Sequence, residues 1–243
     1  MERMLDVNGF SFCARYADET VRTLFLPLLR RLQKKIESGL ERQIVFLAGP
    51  PALGKSALAL FLAELASQTP GMPPVQALGM DGFHYRQEDL LRRVTFRNGE
   101  EISLARIKGA PETFDLEGLR VALCALRDGK SVSWPLYDRR LHDVVENALY
   151  ASAPILLVEG NWLLLDAPAW QGLPHDWAIF LSAEESQLRE RLIARKMRGG
   201  CTEAEARAFD EACDGPNIRL CLQRRLPADE QWRMLDTGRF ARE

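Results

Sequence analysis

The 243-residue sequence lacks any apolar run of the roughly 18 residues that a membrane-spanning helix needs. Its first residues include Glu2, Arg3 and Asp6 in place of the apolar core of a secretory leader. The five cysteines, Cys13, Cys124, Cys201, Cys213 and Cys221, are odd in number and contain no C-x-x-C pair, which argues against a disulfide framework and against a zinc site. Neither sign of charge dominates: the formal net charge is −2, so there is no global attraction to nucleic acid or to an anionic membrane, and any basic site must be local. Repeats, low-complexity tracts and heptads are absent as well. These absences lead us to expect a soluble cytoplasmic protein with neither nucleic acid nor membrane as partner. A homodimer is compatible with the sequence, although no unmatched apolar stripe declares its interface.

What is present is the material of one globular domain, with 47% hydrophobic and 27% charged residues. Val21, Phe25, Leu28, Leu29, Leu32 and Ile36 recur at helical spacing, interrupted by Pro27, and predict a kinked helix within an N-terminal helical extension over residues 1–42. Apolar runs predict strands at 43–48, 75–80, 132–136, 154–158 and 177–181, with a further short strand near 231–235. Helical patterns lie between them: 55–67, a stretch N-capped by Asp115 and ended by Gly129, one that Ser182 and Glu185 would open as a capping box, and segments from about 203 to 225. The polar stretch 86–108 reads as a mobile connection. Strands alternating with helices predict an α/β fold of three layers, α/β/α, with a mostly parallel five-stranded sheet and a small helical lid at about 186–205. Such sheets place ligands at the carboxyl ends of their strands.

Gly49, Gly54, Lys55 and Ser56 satisfy the spacing G-x-x-x-x-G-K-[ST], between a predicted strand and a predicted helix. In that setting backbone N–H groups and the positive end of the helix converge on phosphate oxygens, while the lysine adds a point charge. The predicted nucleotide-binding residues are Gly49, Ala52, Leu53, Gly54, Lys55, Ser56 and Ala57. Pro50 and Pro51 carry no N–H, so the cradle must come from residues 52–56. ATP and Mg²⁺ are the expected cofactors, with Ser56 on the metal. Asp81, just past a strand, is placed to take a hydroxyl proton and to share the metal site; Glu159, at the end of another strand, would order the metal's water shell. Arg191, Arg195 and Arg198 fall at i, i+4 and i+7, so one helical stripe could present guanidinium groups to the phosphates when a lid closes. Blander roles exist for the same residues. Asp81 or Glu159 could cap a helix, and the arginines could pair with Glu184, Glu190 or Glu203 on a solvated face.

These motifs together resemble the pantothenate kinase and uridine kinase superfamily of P-loop kinases, from about Gln43 to Leu235. Met80-Asp81-Gly82-Phe83-His84-Tyr85 and Lys108-Gly109-Ala110-Pro111-Glu112-Thr113-Phe114-Asp115 are similar to segments of bacterial pantothenate kinases, a resemblance that implies a catalytic base at Asp81. Pro135-x-Tyr137-Asp138-x-x-x-His142 is similar to uridine kinases and implies acceptor contacts from Tyr137 and His142. Glu159-Gly160 and the pair Arg191, Arg195 are similar to the metal-side and lid motifs of both groups. The expected site therefore comprises Asp81, Lys55, Arg191 and Arg195 for catalysis, and His84, Tyr85, Tyr137, His142 and Arg140 for the acceptor. The sequence departs from both groups, with Gly109 where uridine kinases carry an aspartate and Arg139, Arg140 and Leu141 where pantothenate kinases carry aromatic and histidine residues. The mixture resembles a kinase-like branch of the superfamily, some members of which accompany sugar import. The expected reaction is ATP-dependent phosphorylation of a hydroxyl on a small polar metabolite: a sugar or polyol, a nucleoside or a pantothenate-like compound. A nucleotide hydrolase or switch acting with a protein partner is the alternative, and the sequence carries neither the N-K-x-D nor the L-S-G-G-Q signature of such proteins.

Overall fold

A computed structural model describes every residue except Asn8 and Asn98. An antiparallel hairpin, β1 (Glu2–Val7) and β2 (Phe10–Arg15), precedes α1 (Asp18–Thr20), a π-helical turn at Val21–Phe25 and α2 (Leu26–Glu37). Then come β3 (Gln43–Ala48), α3 (Lys55–Ser67), β4 (Val75–Gly79), α4 (Gln87–Arg92), β5 (Val94–Arg97), β6 (Glu100–Ser103) and α5 (Leu116–Arg127). The chain continues through β7 (Val132–Asp138), β8 (Asp143–Ala151), β9 (Ile155–Gly160), β10 (Trp177–Ser182), α6 (Glu185–Arg198) and α7 (Glu203–Phe209). A second π-helical turn at Asp210–Asp214 leads into α8 (Gly215–Gln223), and β11 (Glu230–Asp236) and β12 (Arg239–Arg242) finish the chain.

Six strands form the central sheet in the order β12-β11-β10-β3-β9-β4, parallel throughout except that β12 runs against β11. Both β3 and β9 are buried at every position, as expected of central parallel strands covered on both faces. Alternate residues feed two cores. Val45 and Leu47 pack with α2, α3 and α6, whereas Ile44, Phe46 and Ala48 pack with α5 and with Trp134 and Trp162. Each fully buried Leu or Phe removes apolar surface worth about 2 kcal/mol, so the strand phase is strongly specified.

Four expectations are corrected. The predicted strand at 132–136 is not in the central sheet; as β7 it pairs with β8 in a separate hairpin, and β11 takes the fifth parallel place. The N-terminal extension is not all helical, since a hairpin precedes its helix. The 86–108 connection carries α4 and the β5–β6 hairpin. Ser182 does not cap α6: it ends β10, and Glu184 occupies the cap position without a side-chain bond, while Thr202 and Glu205 build a capping box on α7.

Pro27 and Pro216 share one device. Each stands just after a five-residue π-helical turn, in which Leu26 N–H donates to Val21 O and Gly215 N–H to Asp210 O. The wider turn re-registers the ladder immediately before a residue that has no N–H and would otherwise crowd the preceding turn. Asp214-Gly215-Pro216-Asn217, which reads as a turn and helix start, therefore lies within a nearly continuous helical run. At the far edge of the sheet, Thr20 Oγ1 lies 3.3 Å from Phe240 O and accepts from Phe240 N–H at 3.1 Å, and Ala17 N–H donates to Gly238 O at 2.9 Å. No helix among the described residues is long and apolar enough to cross a membrane, and all five cysteines are free thiols.

Candidate active site

The loop from Gly49 to Gly54 leaves β3 and enters α3 through backbone that few side chains tolerate. A Cβ at Gly49, whose φ is +153°, would collide with Leu181 O of the neighbouring strand. Ala52 (φ +68°) and Gly54 (φ +77°) are both left-handed, and buried Leu53 between them anchors the loop in the core. Nothing lies within 4 Å of the Cβ position of Gly54, which is exposed at the start of a 13-residue helix. Amides at a helix N-terminus facing open space suit phosphate oxygens.

Parallel register aligns the remaining groups. Glu159 of β9 pairs with both Leu47 and Gly79, and the Cβ position of Gly79 is 3.2 Å from Glu159 Oε1, so a side chain there would crowd the carboxylate. Ser56 Oγ donates to Glu159 Oε1 at 2.7 Å. Lys55 Nζ donates to Asn161 Oδ1 at 2.7 Å and to Pro50 O at 2.9 Å. Burial depresses the pKa of Lys55, against the opposing fields of Glu159, Cys221 and Asp81. Burial, reinforced by Asp81, pushes Glu159 up to about 7, with Lys55 and the Ser56 hydrogen bond pulling the other way. A hydroxyl and a carboxylate side by side are the hard oxygen donors that Mg²⁺ prefers, usually with retained water. Among the described residues no cluster of three His, Cys, Asp or Glu side chains forms an all-protein metal cage.

Asp81 sits on the 3₁₀ turn Met80–Phe83 at the end of β4. That turn is clamped, because a Cβ at Gly82 would collide with Pro135 O of β7. His84 Nδ1 is 2.9 Å from Asp81 O, an atom that can only accept, so Nδ1 carries the proton and Nε2 is the acceptor nitrogen. Burial lowers the pKa of His84, and burial together with Asp81 raises Tyr137 to about 12. The rings of His84 and Tyr137 lie 5.4 Å apart, and Phe114 packs on His84 at 3.9 Å. The two segments similar to pantothenate kinases are joined directly: Asp115 N–H donates to Phe83 O at 2.7 Å, Tyr85 N–H to Thr113 O at 3.0 Å, and His84 bridges Phe114. Trp162 Nε1, which donates to Gly109 O at 3.0 Å, ties this loop to β9.

The segment expected to form a lid, residues 186–205, covers most of α6, the turn after it and the start of α7. Arg195 is exposed and lies in the fields of Arg139, Asp214 and Asp81, whereas Arg191 directs Nη1 at Met234 Sδ (2.8 Å) and neighbours Tyr16. The acidic residues that could have neutralised the stripe are engaged elsewhere, Glu184 with Arg233, and Glu190 and Glu203 with Arg207. Among the acceptor candidates, Tyr137 and His84 flank Asp81. Tyr85 instead stacks under Arg93 at 4.0 Å and packs toward Leu90 and Ile107. Arg140 is exposed and pairs with Asp138 at 3.2 Å. His142 adopts a left-handed φ of +53° and contributes its carbonyl to Lys108 Nζ at 2.9 Å. Asn161 was missed as the partner of Lys55. Asn161 follows the Glu159-Gly160 pair directly, which was the one available signal for it.

Comparison with known proteins agrees with this geometry. No family model matches the chain. The uncharacterised protein YggC of Escherichia coli K12 is 41% identical over 99% of this chain and 98% of its own length. A Schizosaccharomyces pombe protein provisionally named as a uridine kinase is 32% identical over 74% of this chain and 77% of its own, and the pantothenate kinase of Photorhabdus laumondii is 28% identical over 81% and 67%. The crystal structure of a protein provisionally named as a fructose transport system kinase, from Silicibacter sp. TM1040, superposes with a TM-score of 0.72 at 34% identity, covering 84% of this chain and 98% of that one. With its mostly parallel sheet, its phosphate loop and these relatives, the chain belongs to the P-loop kinase superfamily of the uridine and pantothenate kinases.

Proposed function

We propose that the protein is an ATP- and Mg²⁺-dependent kinase that phosphorylates a hydroxyl group of a small polar metabolite of the sugar, polyol, nucleoside or pantothenate-like kind. One observation carries this reading: Asp81 sits on the turn at the end of β4, whose Gly79 pairs with Glu159, and Glu159 accepts from Ser56 of the phosphate loop, so an acceptor hydroxyl at Asp81 would lie beside the triphosphate. Residues 1–243 act as a single kinase domain in this reading, with the lid at 186–205.

In the reaction the loop amides from Ala52 to Ala57 hold the triphosphate, and Lys55 exchanges its Asn161 and Pro50 partners for phosphate oxygens. Asp81 accepts the acceptor's hydroxyl proton and aims its oxygen at the terminal phosphorus, which is the positioning and proton transfer that phosphoryl transfer asks of a protein. Ser56 and Asp81, with Glu159 through water, would hold Mg²⁺, which would supply charge neutralisation at the phosphates. Arg195 supplies the lid's positive charge, and Arg191 braces the lid against Met234 and Tyr16. Lys55 and Glu159 are buried, and closure of the lid over the half-buried Asp81 would exclude water, which favours transfer to the acceptor over hydrolysis.

The decisive experiment measures ADP release with MgATP across nucleosides, pantothenate, sugars and polyols, for wild type and for Lys55→Ala. A single strong responder is expected, with turnover by the variant down on the order of 10³-fold at an unchanged circular-dichroism spectrum. Wild-type turnover by Lys55→Ala would remove the reading. ATP hydrolysis that is fast without any acceptor and rises with a protein would replace it with the hydrolase alternative.

A further inference from the structure

Lys55 and Glu159 carry opposite charges and are both buried, at 6% and 7% exposure, yet they do not pair. Among the described residues no carboxylate lies within the 4.0 Å ion-pair distance of Lys55 Nζ. Each charge is held by neutral groups instead. Ser56 Oγ donates to Glu159 Oε1 at 2.7 Å, while Lys55 Nζ donates to Pro50 O at 2.9 Å and to Asn161 Oδ1 at 2.7 Å. Consecutive residues of α3 are thus fastened at and just past the end of β9, Ser56 to Glu159 and Lys55 to Asn161.

Buried opposite charges attract strongly, because a low dielectric leaves them unscreened and pairing offsets part of the cost of burial. The means of pairing are at hand. Lys55 Nζ has a third N–H, and Glu159 Oε2 has no donor among the described residues. Glu159 also exerts the largest of the fields that sustain the lysine's charge against burial. Direct pairing would disable both groups, turning the lysine from the phosphates and the carboxylate from the metal side. Asn161 stands in the way. Its Oδ1 is a neutral acceptor, so it fixes Nζ without cancelling the charge, and an anionic phosphate oxygen, which adds a full opposite charge, can displace it. The lysine contact is the one hydrogen bond that the Asn161 side chain makes among the described residues, so no helix cap or turn accounts for the residue. Its backbone is anchored independently: buried Cys221 donates from Sγ to Asn161 O at 3.1 Å, and Gly160 pairs with Ala48 beside it.

We propose that Asn161 is a positioning residue that holds the place of a phosphate oxygen in the empty site and keeps Lys55 from collapsing onto Glu159. The inference rests on the kinase reading and deepens it. The lysine stays available to the triphosphate and the carboxylate to the metal, and no buried ion pair has to be broken before nucleotide enters.

The test is a double-mutant cycle on ATP affinity by calorimetry, run in EDTA so that the metal role of Glu159 drops out, and repeated with MgATP. It compares wild type, Asn161→Ala, Glu159→Gln and the double variant, with melting temperatures to establish folding. Asn161→Ala should raise the dissociation constant about tenfold where Glu159 is present, and less than about twofold in the Glu159→Gln background. Asn161→Leu, which keeps the bulk and removes the acceptor, should behave as alanine does. A crystal structure of nucleotide-free Asn161→Ala should show Lys55 Nζ within 4.0 Å of Glu159. Wild-type affinity in Asn161→Ala or Asn161→Leu, an equal loss in the Glu159→Gln background, or a lysine still apart from Glu159 in that structure would overturn the proposal. Failure of the kinase reading looks different, since wild type would then bind neither ATP nor MgATP.

Discussion

Ala52 is a non-glycine residue at a left-handed φ of +68°, a conformation that costs an L-residue roughly 1–2 kcal/mol. Ala52→Gly should therefore retain MgATP binding and raise stability by up to about 1 kcal/mol, measured by urea unfolding. Asp81→Asn should lower kcat by about 10²–10⁴-fold with the KM for ATP little changed, as read from steady-state kinetics. Glu159 has a folded-state pKa raised to about 7 from 4.5. Between those values the unfolded chain loses this proton while the native state keeps it, so stability is full below about 4.5 and declines as pH rises toward 7. Thermal melts from pH 4.5 to 7.5 should show Glu159→Gln gaining on wild type over that window; parallel melting curves would contradict the shift. Lys55 and Ser56 were legible through the G-x-x-x-x-G-K-[ST] spacing, and Asp81 and Glu159 because each stands just past the end of a predicted strand. The Lys55–Asn161 pair was not, since 106 residues separate its members.

At the scale of elements, continuous apolar runs and alternating ones mean different things. Ile44–Ala48 and Ile155–Val158 are unbroken and became central strands, whereas Val132, Trp134 and Leu136 alternate with less buried residues, the mark of a hairpin with one wetter face. That distinction was present in the sequence and would have kept β7 out of the central sheet. The break between α6 and α7 was legible from Gly199-Gly200, but the fastening of this corner was not. Arg189 Nε donates to the buried Asp210 Oδ2 at 2.7 Å, joining α6 to the second π-helical turn. Asp210→Asn should destabilise this corner by on the order of 2 kcal/mol and speed amide exchange in α7, seen by hydrogen-exchange mass spectrometry. Unchanged exchange in α7 would show that packing alone holds it.

For the molecule as a whole, the α/β architecture followed from the order of strand and helix signals, and the placement of every motif at a strand end followed from parallel pairing. What could not be read was the pairing of distant edges, because contacts across the full chain leave no periodic trace. Nucleotide binding couples to global stability: MgATP at about 100 times its dissociation constant should add about 2.7 kcal/mol, which raises the melting temperature by roughly 5–10 °C in a chain of this size. A shift below about 1 °C in differential scanning calorimetry would contradict a triphosphate at Gly49–Ser56. Thr20, Ala17 and Tyr16 close against Phe240 and Gly238, a seam spanning 220 positions. On a ribosome, that seam cannot close until β12 has emerged, which makes its closure a late event and a chain stalled before β12 a natural client for chaperones.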